Sequence, residues 1–429
     1  MAFRPTRACL MPFAELNLHP ALLRAIGQRG YSAPTPIQRS AIPVILQGRD
    51  IIASAQTGSG KTAAFCLPVL QQWSVEKGIK PRKVHTLILV PTRELAAQIG
   101  DTLHGLAAYL PKPVKLAVAV GGVSINPQML HLRGGADIVI ATPGRLLDLI
   151  RHNAVTVDHI KTLVLDEADR MLDLGFGEEL QQLLAMLPTQ RQNLLFSATM
   201  PDQVTELSGH VLHDPVRIDV PHTPVSKPNI VQRAIAVDMQ RRTELLRHLI
   251  QENDWDRVLV FASTRYATEL VALKLRKARI AAEPFHGELG QGKRTQVLSD
   301  FKTNRIKVMV ATDLAARGID IPNLPVVINY DPPRSSNDYT HRIGRTGRAG
   351  APGMSVNLVC ASNDAHFRFI EKSVSIALER EQIPGFIPVF TDASAVVEEK
   401  GPGGIKGRRP SKKDKLRALT LAALVVKPE

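Results

Sequence analysis

Apolar runs of about five residues recur along the first half of the chain, at 51–55, 87–91, 116–120, 137–141, 162–166 and 192–196. Longer stretches lie between several of them, such as 93–107 and 178–187, with apolar residues at helical spacing. Strands alternating with helices in this way predict a parallel sheet covered on both faces. Upstream, Leu16, Leu18, Leu22, Leu23 and Ile26 suggest an amphipathic helix, and Pro34, Pro36 and Pro43 punctuate the stretch between it and the first apolar run. Pro215, Pro221, Pro224 and Pro228 fall in a polar stretch that reads as a linker over 213–229. A second alternation then begins, with strands expected at 231–237, 257–262, 307–311, 326–330 and 354–360 and helices at 241–251, 265–279 and 291–302. The pattern therefore predicts an α/β fold of two tandem domains, 13–212 and 230–391, flanked by a basic leader, 1–12, and a basic tail, 392–429.

Length and composition agree with two domains. The chain has 429 residues, of which 22% are charged and only 4% aromatic. It contains no apolar run long enough to span a bilayer, and its N-terminus lacks the apolar core of a signal peptide. A cytoplasmic protein without a membrane partner is expected. Cys9, Cys66 and Cys360 are widely separated, and the histidines show no ligand spacing, so neither a disulfide framework nor a zinc site is predicted. The net charge of +14 favours nucleic acid or another anionic partner. Residues 400–417 carry eight cations against Asp414, half of that net charge, which reads either as an RNA tether or as a solvated tail. The apolar end, Leu419 to Val426, is a short packing segment or a terminus without a role.

The sharpest chemistry lies just after the first apolar run. Ala55-Gln56-Thr57-Gly58-Ser59-Gly60-Lys61-Thr62 is a small-residue loop between a strand and a helix. Loop N–H groups and the positive end of the helix dipole would both face an anion there. Lys61 can reach terminal phosphates, and the Thr62 hydroxyl can hold Mg2+. The strict pattern opens with Gly, where this chain has Ala55. Asp166-Glu167-Ala168-Asp169 ends the 162–166 strand, which suits Asp166 to Mg2+ through water and Glu167 to orienting an attacking water. Ser197-Ala198-Thr199 ends the next strand and could relay nucleotide state or serve as ordinary capping material.

Three further strand ends carry hydroxyls, glycines and arginines: Pro91-Thr92-Arg93-Glu94-Leu95, Gly121-Gly122 and Thr142-Pro143-Gly144-Arg145. Such groups suit a sugar–phosphate backbone, with turn and capping chemistry as the plain alternative for any one of them. In the second half, His341-Arg342-Ile343-Gly344-Arg345-Thr346-Gly347-Arg348-Ala349-Gly350 reads as a loop that converges Arg345 and Arg348 on a phosphate bound by the other domain. Thr312, Asp313 and Arg317 could face nucleic acid, and Gly318 and Asp320 the nucleotide, unless they are only a strand-to-helix junction.

Together these segments resemble the DEAD-box RNA helicases, whose name residues 166–169 spell, over about residues 13–390. Gly121-Gly122-Val123-Ser124-Ile125-Asn126-Pro127-Gln128 and Arg191 to Thr199 are worded most like the bacterial RhlE-type subgroup. The resemblance implies two RecA-like domains with ATP and RNA bound across the cleft. Ala55 is common at its position in that family. Phe13 and Gln38 match the family's adenine-reading segment, where one amide can pair with N6 and N7 together. The resemblance gives the catalytic roles to Lys61, Asp166, Glu167, Arg345 and Arg348. It extends the ATP site over Ala55, Gln56, Thr57, Gly58, Ser59, Gly60, Lys61, Thr62, Gly318 and Asp320. Asp169, Ser197, Thr199 and His341 would couple the domains when they close.

For RNA the resemblance points to Pro91, Thr92, Arg93, Gly122, Thr142, Gly144 and Arg145, then to Thr264, Arg265, Thr312 and Asp313. Contacts to phosphates and 2′-hydroxyls would read RNA without reading its sequence. Structured or double-stranded RNA is the implied partner, with ribosomal precursors and RNA-decay proteins among the settings left open. Gly290-Gln291-Gly292 departs from the usual wording and weakens the helix expected there. The rival readings are an RNA clamp without catalysis, which the retained Lys61 and Glu167 oppose, and a DNA-directed P-loop ATPase, which Gln38 and the 166–169 tetrad oppose.

Overall fold

The computed structural model describes residues 13–55, 58–75, 82–220, 230–316, 321, 324–347 and 352–389. The leader, the tail with its apolar end, Cys9, Gln56, Thr57, Gly318, Asp320 and Arg348 lie outside the described residues.

Seven short strands build the first sheet: β1 (Ile51–Ser54), β2 (Thr86–Leu89), β3 (Leu116–Ala119), β4 (Ile138–Ala141), β5 (Thr162–Leu165), β6 (Gln192–Ser197) and β7 (Val216–Asp219). All pairs are parallel, in the order β3-β4-β2-β5-β6-β1-β7. Seven more build the second: β8 (Ile230–Ala236), β9 (Val258–Phe261), β10 (Ala282–Phe285), β11 (Val308–Ala311), β12 (Val326–Asn329), β13 (Gly353–Val359) and β14 (Arg380–Glu381). Their order, β10-β11-β9-β12-β13-β8-β14, repeats the first sheet strand for strand.

Alternation within strands assigns each side chain to one of two cores. Ile88, Ile138 and Ile140 pack on one face with the helices Pro36–Leu46, Lys61–Val75 and Arg93–Ala107. Leu87, Leu89, Val139 and Ala141 pack on the other with Leu146, Leu180 and Val204. Because both faces are covered, β2, β4 and β5 are buried throughout, which is why they read as continuous apolar runs. In the second domain Val258 and Val260 face one core, and Leu259 and Phe261 the other.

Three differences from the sequence pattern have physical causes. Val216–Asp219, which reads as linker because prolines flank it, pairs with β1 from Ile51 to Ser54 and closes the first sheet, so that domain runs past residue 212. β10 escapes a pattern search because Pro284 interrupts it; it is an edge strand, where Pro costs little. His341 and Arg342 end a helix, Ser336–Ile343, rather than opening a loop; the Ser335 hydroxyl caps it by accepting from the Asp338 N–H at 3.1 Å. The helix Gln291–Lys302 forms despite its glycines, since Gly290 sits at the N-cap, where Gly is well tolerated. No helix among the described residues is long and apolar enough to cross a membrane.

Candidate nucleotide and RNA site

The carboxyl ends of the first sheet converge on one edge. Gly58 and Gly60 take positive φ, +84° and +95°, before the helix Lys61–Val75 starts. A Cβ at Gly60 would lie 2.6 Å from Gln38 Nε2 and 2.9 Å from Thr35 Oγ1, so the glycine is needed for close approach as well as for φ. Gln38 Nε2 donates to the Gly60 carbonyl at 3.0 Å, and Gln38 Oε1 accepts from the Thr35 N–H at 2.9 Å. Each end of that amide uses half its capacity, which leaves one donor and one acceptor position. Phe13 is buried in the same core as the helix Pro36–Leu46.

Lys61 Nζ is buried and donates to the Ala55 carbonyl at 2.7 Å, so the ammonium folds back over the loop. The buried hydroxyls of Ser59 and Thr35 have no hydrogen-bond partner within the protein. Orphaned polar atoms around a glycine cradle are what a phosphate-binding loop presents without its ligand.

Asp166 is 2% exposed. Burial pushes its carboxyl up to about 7, Lys61 opposes the rise, and Glu167 and Asp169 add to it. A positive charge beside it would favour its ionised form. Among the described residues no three His, Cys, Asp or Glu side chains form a complete metal cage. A site of one carboxylate and the Thr62 hydroxyl, completed by phosphates and water, nonetheless suits Mg2+, which rarely uses all-protein cages.

Glu167 stands out in the backbone. It adopts φ 53°, ψ 52°, the left-handed region, as the residue before the helix Ala168–Asp173. A side chain pays about 1 kcal/mol or more for that conformation. Its Oε2 is buried without a hydrogen bond, 3.9 Å from Arg170 Nη1. Asp169 Oδ2 accepts from both the Thr199 N–H, at 3.0 Å, and the Thr199 hydroxyl, at 2.7 Å. Ser197 Oγ accepts from the Asp169 N–H at 3.3 Å and donates to the Thr199 carbonyl at 2.6 Å. The two strand-end segments thus form one hydrogen-bonded unit, in which Thr199 and Ser197 do more than cap a helix.

Residues of both domains meet at this unit. Glu167, Asp169 and Ala198 line a narrow cleft whose far wall is Asn337, His341 and Arg345. Arg345 is buried there at 6% exposure. Further along the seam, Arg294 Nε and Nη2 donate to Glu94 Oε1 at 2.9 and 2.8 Å, with both side chains buried. The sequence gives this interdomain pair no role, although Glu94 lies in the Pro91–Leu95 motif. Arg170 carries no sequence signal either; it follows the acidic tetrad and is buried beside Glu167.

The expected RNA residues gather on the same edge. Arg93 Nη1 donates to the Gly122 carbonyl at 3.4 Å, and Arg145 Nη2 to the Val123 carbonyl at 2.8 Å. Arg145 Nε and Nη1 are buried without a hydrogen-bond acceptor. Thr142 Oγ1 accepts from the Gly121 N–H at 3.4 Å. Thr92 and Thr264 occupy matching places in the two domains, each capping a helix by accepting from Leu95 N–H at 3.3 Å and Ala267 N–H at 3.1 Å. Pro91 precedes the Thr92 cap, Gly144 lies in the first turn of the helix Pro143–Arg151, and Thr312 follows β11. Arg265 is paired with Glu288. Asp313 is paired within its own domain. Both its oxygens accept from buried Arg342, at 2.5 and 2.6 Å, which supplies the carboxylate that a buried guanidinium requires.

Residues 35–207 match the DEAD/DEAH box helicase family model, and residues 241–350 match the helicase conserved C-terminal domain. The chain is 39% identical over 416 residues to the ATP-dependent rRNA helicase rrp3 of Botryotinia fuckeliana, covering 93% of this chain and 84% of that one. It is 38% identical over 388 residues to the DEAD-box ATP-dependent RNA helicase CshA of Geobacillus kaustophilus, covering 90% and 82%. Among solved structures it resembles S. cerevisiae Dbp5 bound to RNA and ADP BeF3, with a TM-score of 0.76, 30% identity, and 86% and 95% of the two chains covered. It also resembles Mss116p bound to ssRNA and AMP-PNP, with a TM-score of 0.78, 29% identity, and 87% and 80% covered. Two RecA-like domains around a strand-end cleft define an ATP-driven nucleic-acid motor. The chain belongs to the DEAD-box RNA helicase family.

Proposed function

We infer that this chain is an ATP-dependent RNA helicase that couples ATP binding and hydrolysis to local unwinding of RNA duplexes or remodelling of RNA–protein complexes. The observation that carries it is the junction of Glu167, strained and buried, with Arg345 from the other domain across one cleft. We assign the phosphates to the loop Ala55–Thr62, the adenine to Gln38 and Phe13, and the hydrolytic water to Glu167. Arg345 lies where a guanidinium can offset charge building on the transferred phosphoryl group. Gln56, Thr57, Gly318, Asp320 and Arg348 complete the proposed ATP site by their place in the family motifs. Mg2+ held by Thr62 and Asp166 would supply charge neutralisation for the phosphates. Asp169, Ser197, Thr199 and His341 are proposed to transmit closure between domains.

Arg93, Arg145, Gly122 and Thr142 in the first domain, with Thr264, Arg265 and Thr312 in the second, are assigned to the RNA backbone; Pro91 and Gly144 shape its path. Asp313, held by Arg342, is assigned to the same backbone. Each ligand favours the closed arrangement, so each must raise the other's affinity. The names of the fungal relatives, rRNA helicases, support ribosomal RNA as the substrate, with its precursors and a cytoplasmic setting proposed beside it. The wording at 121–128 and 191–199 is the sole support for an RhlE-type subgroup; the relatives named rrp3 and CshA lend it none.

The test is ATP hydrolysis with and without structured RNA, with DNA as control, for the native chain and for Glu167→Gln. Stimulation by RNA alone, lost in the variant, is expected. RNA binding without stimulation in the native chain would instead favour the clamp reading.

A further inference from the structure

The first domain carries a second concavity, at the amino ends of its strands and away from the ATP and RNA edge. It is a groove of about 670 Å³ formed by residues 82–84, 126–135 and 152–156. Its size is that of a ligand or short-peptide site. The nucleotide and RNA chemistry uses none of these segments.

The floor is apolar and partly open. Met129, Leu130 and Val155 line it, and Leu130 is 57% exposed on the helix Asn126–Leu132. Its significance is that it adjoins Met129 and Val155 in one concavity instead of standing alone on the surface. The rim is cationic. Arg82, Lys83 and Arg133 line the groove, and Lys115 adjoins it by donating to the Arg133 carbonyl at 2.8 Å. Arg82 pairs with Asp137 at 3.3 Å, and Lys83 with Asp158 at 3.5 Å. Four cations thus meet two carboxylates, and Arg133 is exposed without an acidic partner among the described residues. The wall is fixed by Gly135, at φ +79°, where a Cβ would strike the Arg82 carbonyl.

We propose that this groove docks an acidic peptide segment of a partner protein, anchored by an aliphatic side chain over Leu130. The excess positive charge selects an anionic occupant. The apolar floor selects a peptide over RNA, because no Phe, Tyr or Trp lines the groove among the described residues, His152 is its single ring there, and a sugar–phosphate chain gains nothing from Met129 and Val155. The cationic run of the chain's own tail, residues 400–417, does not complement the same rim. A partner held here sits behind the sheet and leaves the ATP and RNA edge open, as a recruiting contact requires.

The probe is a displayed library of random twelve-residue peptides, selected on the full chain and counter-screened on two surface variants, Leu130→Asp and Arg133→Glu. Enriched peptides are expected to combine several Asp or Glu with an aliphatic residue. Measured by fluorescence anisotropy, they should lose at least tenfold in affinity for each variant, while unlabelled oligouridine fails to displace them. RNA-stimulated ATP hydrolysis should be unchanged in both variants, which also shows that they fold. Peptides without acidic and aliphatic bias, equal binding to folded Arg133→Glu chain, or displacement by oligouridine would overturn the proposal, the last in favour of an RNA surface.

Discussion

Glu94 of the first domain and Arg294 of the second form a buried ion pair, 2.8 Å at its shortest, between helices that start 198 positions apart in sequence. Arg294 also donates to the His286 carbonyl at 3.1 Å and lies over the Phe285 ring at 4.7 Å. Burial lowers the guanidinium's pKa, and Glu94 opposes that shift. Removing one member of such a pair leaves an uncompensated buried charge, at a cost of about 3–5 kcal/mol. That cost falls only on the closed arrangement, since water solvates both groups when the domains part. Glu94→Gln or Arg294→Met is therefore expected to weaken RNA binding in the presence of a non-hydrolysable ATP analogue by at least tenfold. Nucleotide affinity without RNA should hold. Equal loss in both measurements would mean that the pair stabilises single domains instead.

This pair also marks where sequence reading ends. Candidates within one strand-loop-helix unit are legible, because they cluster just at or after a strand's carboxyl end, as Lys61, Asp166, Glu167, Ser197 and Thr199 do. Long-range partners leave no local signal. Glu94 and Arg294 each look like ordinary helix surface charges until the domains meet, and Asp313 looks available until Arg342 is buried against it. The strands without a sequence signal are β7, β10 and β14, all flanked by proline, interrupted by it or too short for a pattern, and all at sheet edges, where one side needs no partner strand.

Glu167 joins backbone strain to chemistry in one residue, so two substitutions should separate them. Glu167→Gln keeps the side-chain shape and removes the charge that orients water. RNA-stimulated hydrolysis is expected to fall by ~10²–10⁴-fold, with RNA binding retained. Glu167→Gly removes the same chemistry but adopts φ 53° without strain. Its thermal stability should match or exceed that of Glu167→Gln by up to about 1 kcal/mol. A Gly variant clearly less stable than the Gln variant would show that the left-handed turn is held by the side chain rather than imposed upon it.

Gly60 ties the phosphate loop to the base-reading amide. Gly60→Ala forces a Cβ to within 2.6 Å of Gln38 Nε2 at a φ of +95°. The Gln38 amide must then leave the Gly60 carbonyl, at a cost of about 1–3 kcal/mol for strain and a lost hydrogen bond. The expected result is a higher KM for ATP together with reduced preference for ATP over GTP. Lys61→Ala should raise KM for both nucleotides alike, because its proposed partners are the phosphates and not the base. Unchanged discrimination in Gly60→Ala would separate Gln38 from base selection.

In the second domain Arg380, in β14, ties the helix Asp364–Ser373 to that edge strand. It donates to Asp364 Oδ1 at 2.8 Å and to both Glu371 oxygens at 2.8 Å, and its cation lies 5.2 Å from the centre of the Phe367 ring. Burial acts to raise both carboxyls, but hydrogen bonds from Arg368 and Arg380 to Asp364, and from Arg380 and the Leu378 N–H to Glu371, outweigh it. Both pKa values fall below their ordinary 3.8 and 4.5, and that of Arg380 rises. Carboxyls depressed in the folded state contribute stability that is complete above their unfolded pKa values and is lost as pH falls through the folded ones. The cluster should hold fully at pH 6, weaken as pH drops past about 4.5, and be gone once both acids are protonated. Arg380→Met should lower the melting temperature at pH 6 and flatten its decline between pH 5 and pH 3. A melting curve whose acid slope is the same with and without Arg380 would assign the acid lability to other carboxylates.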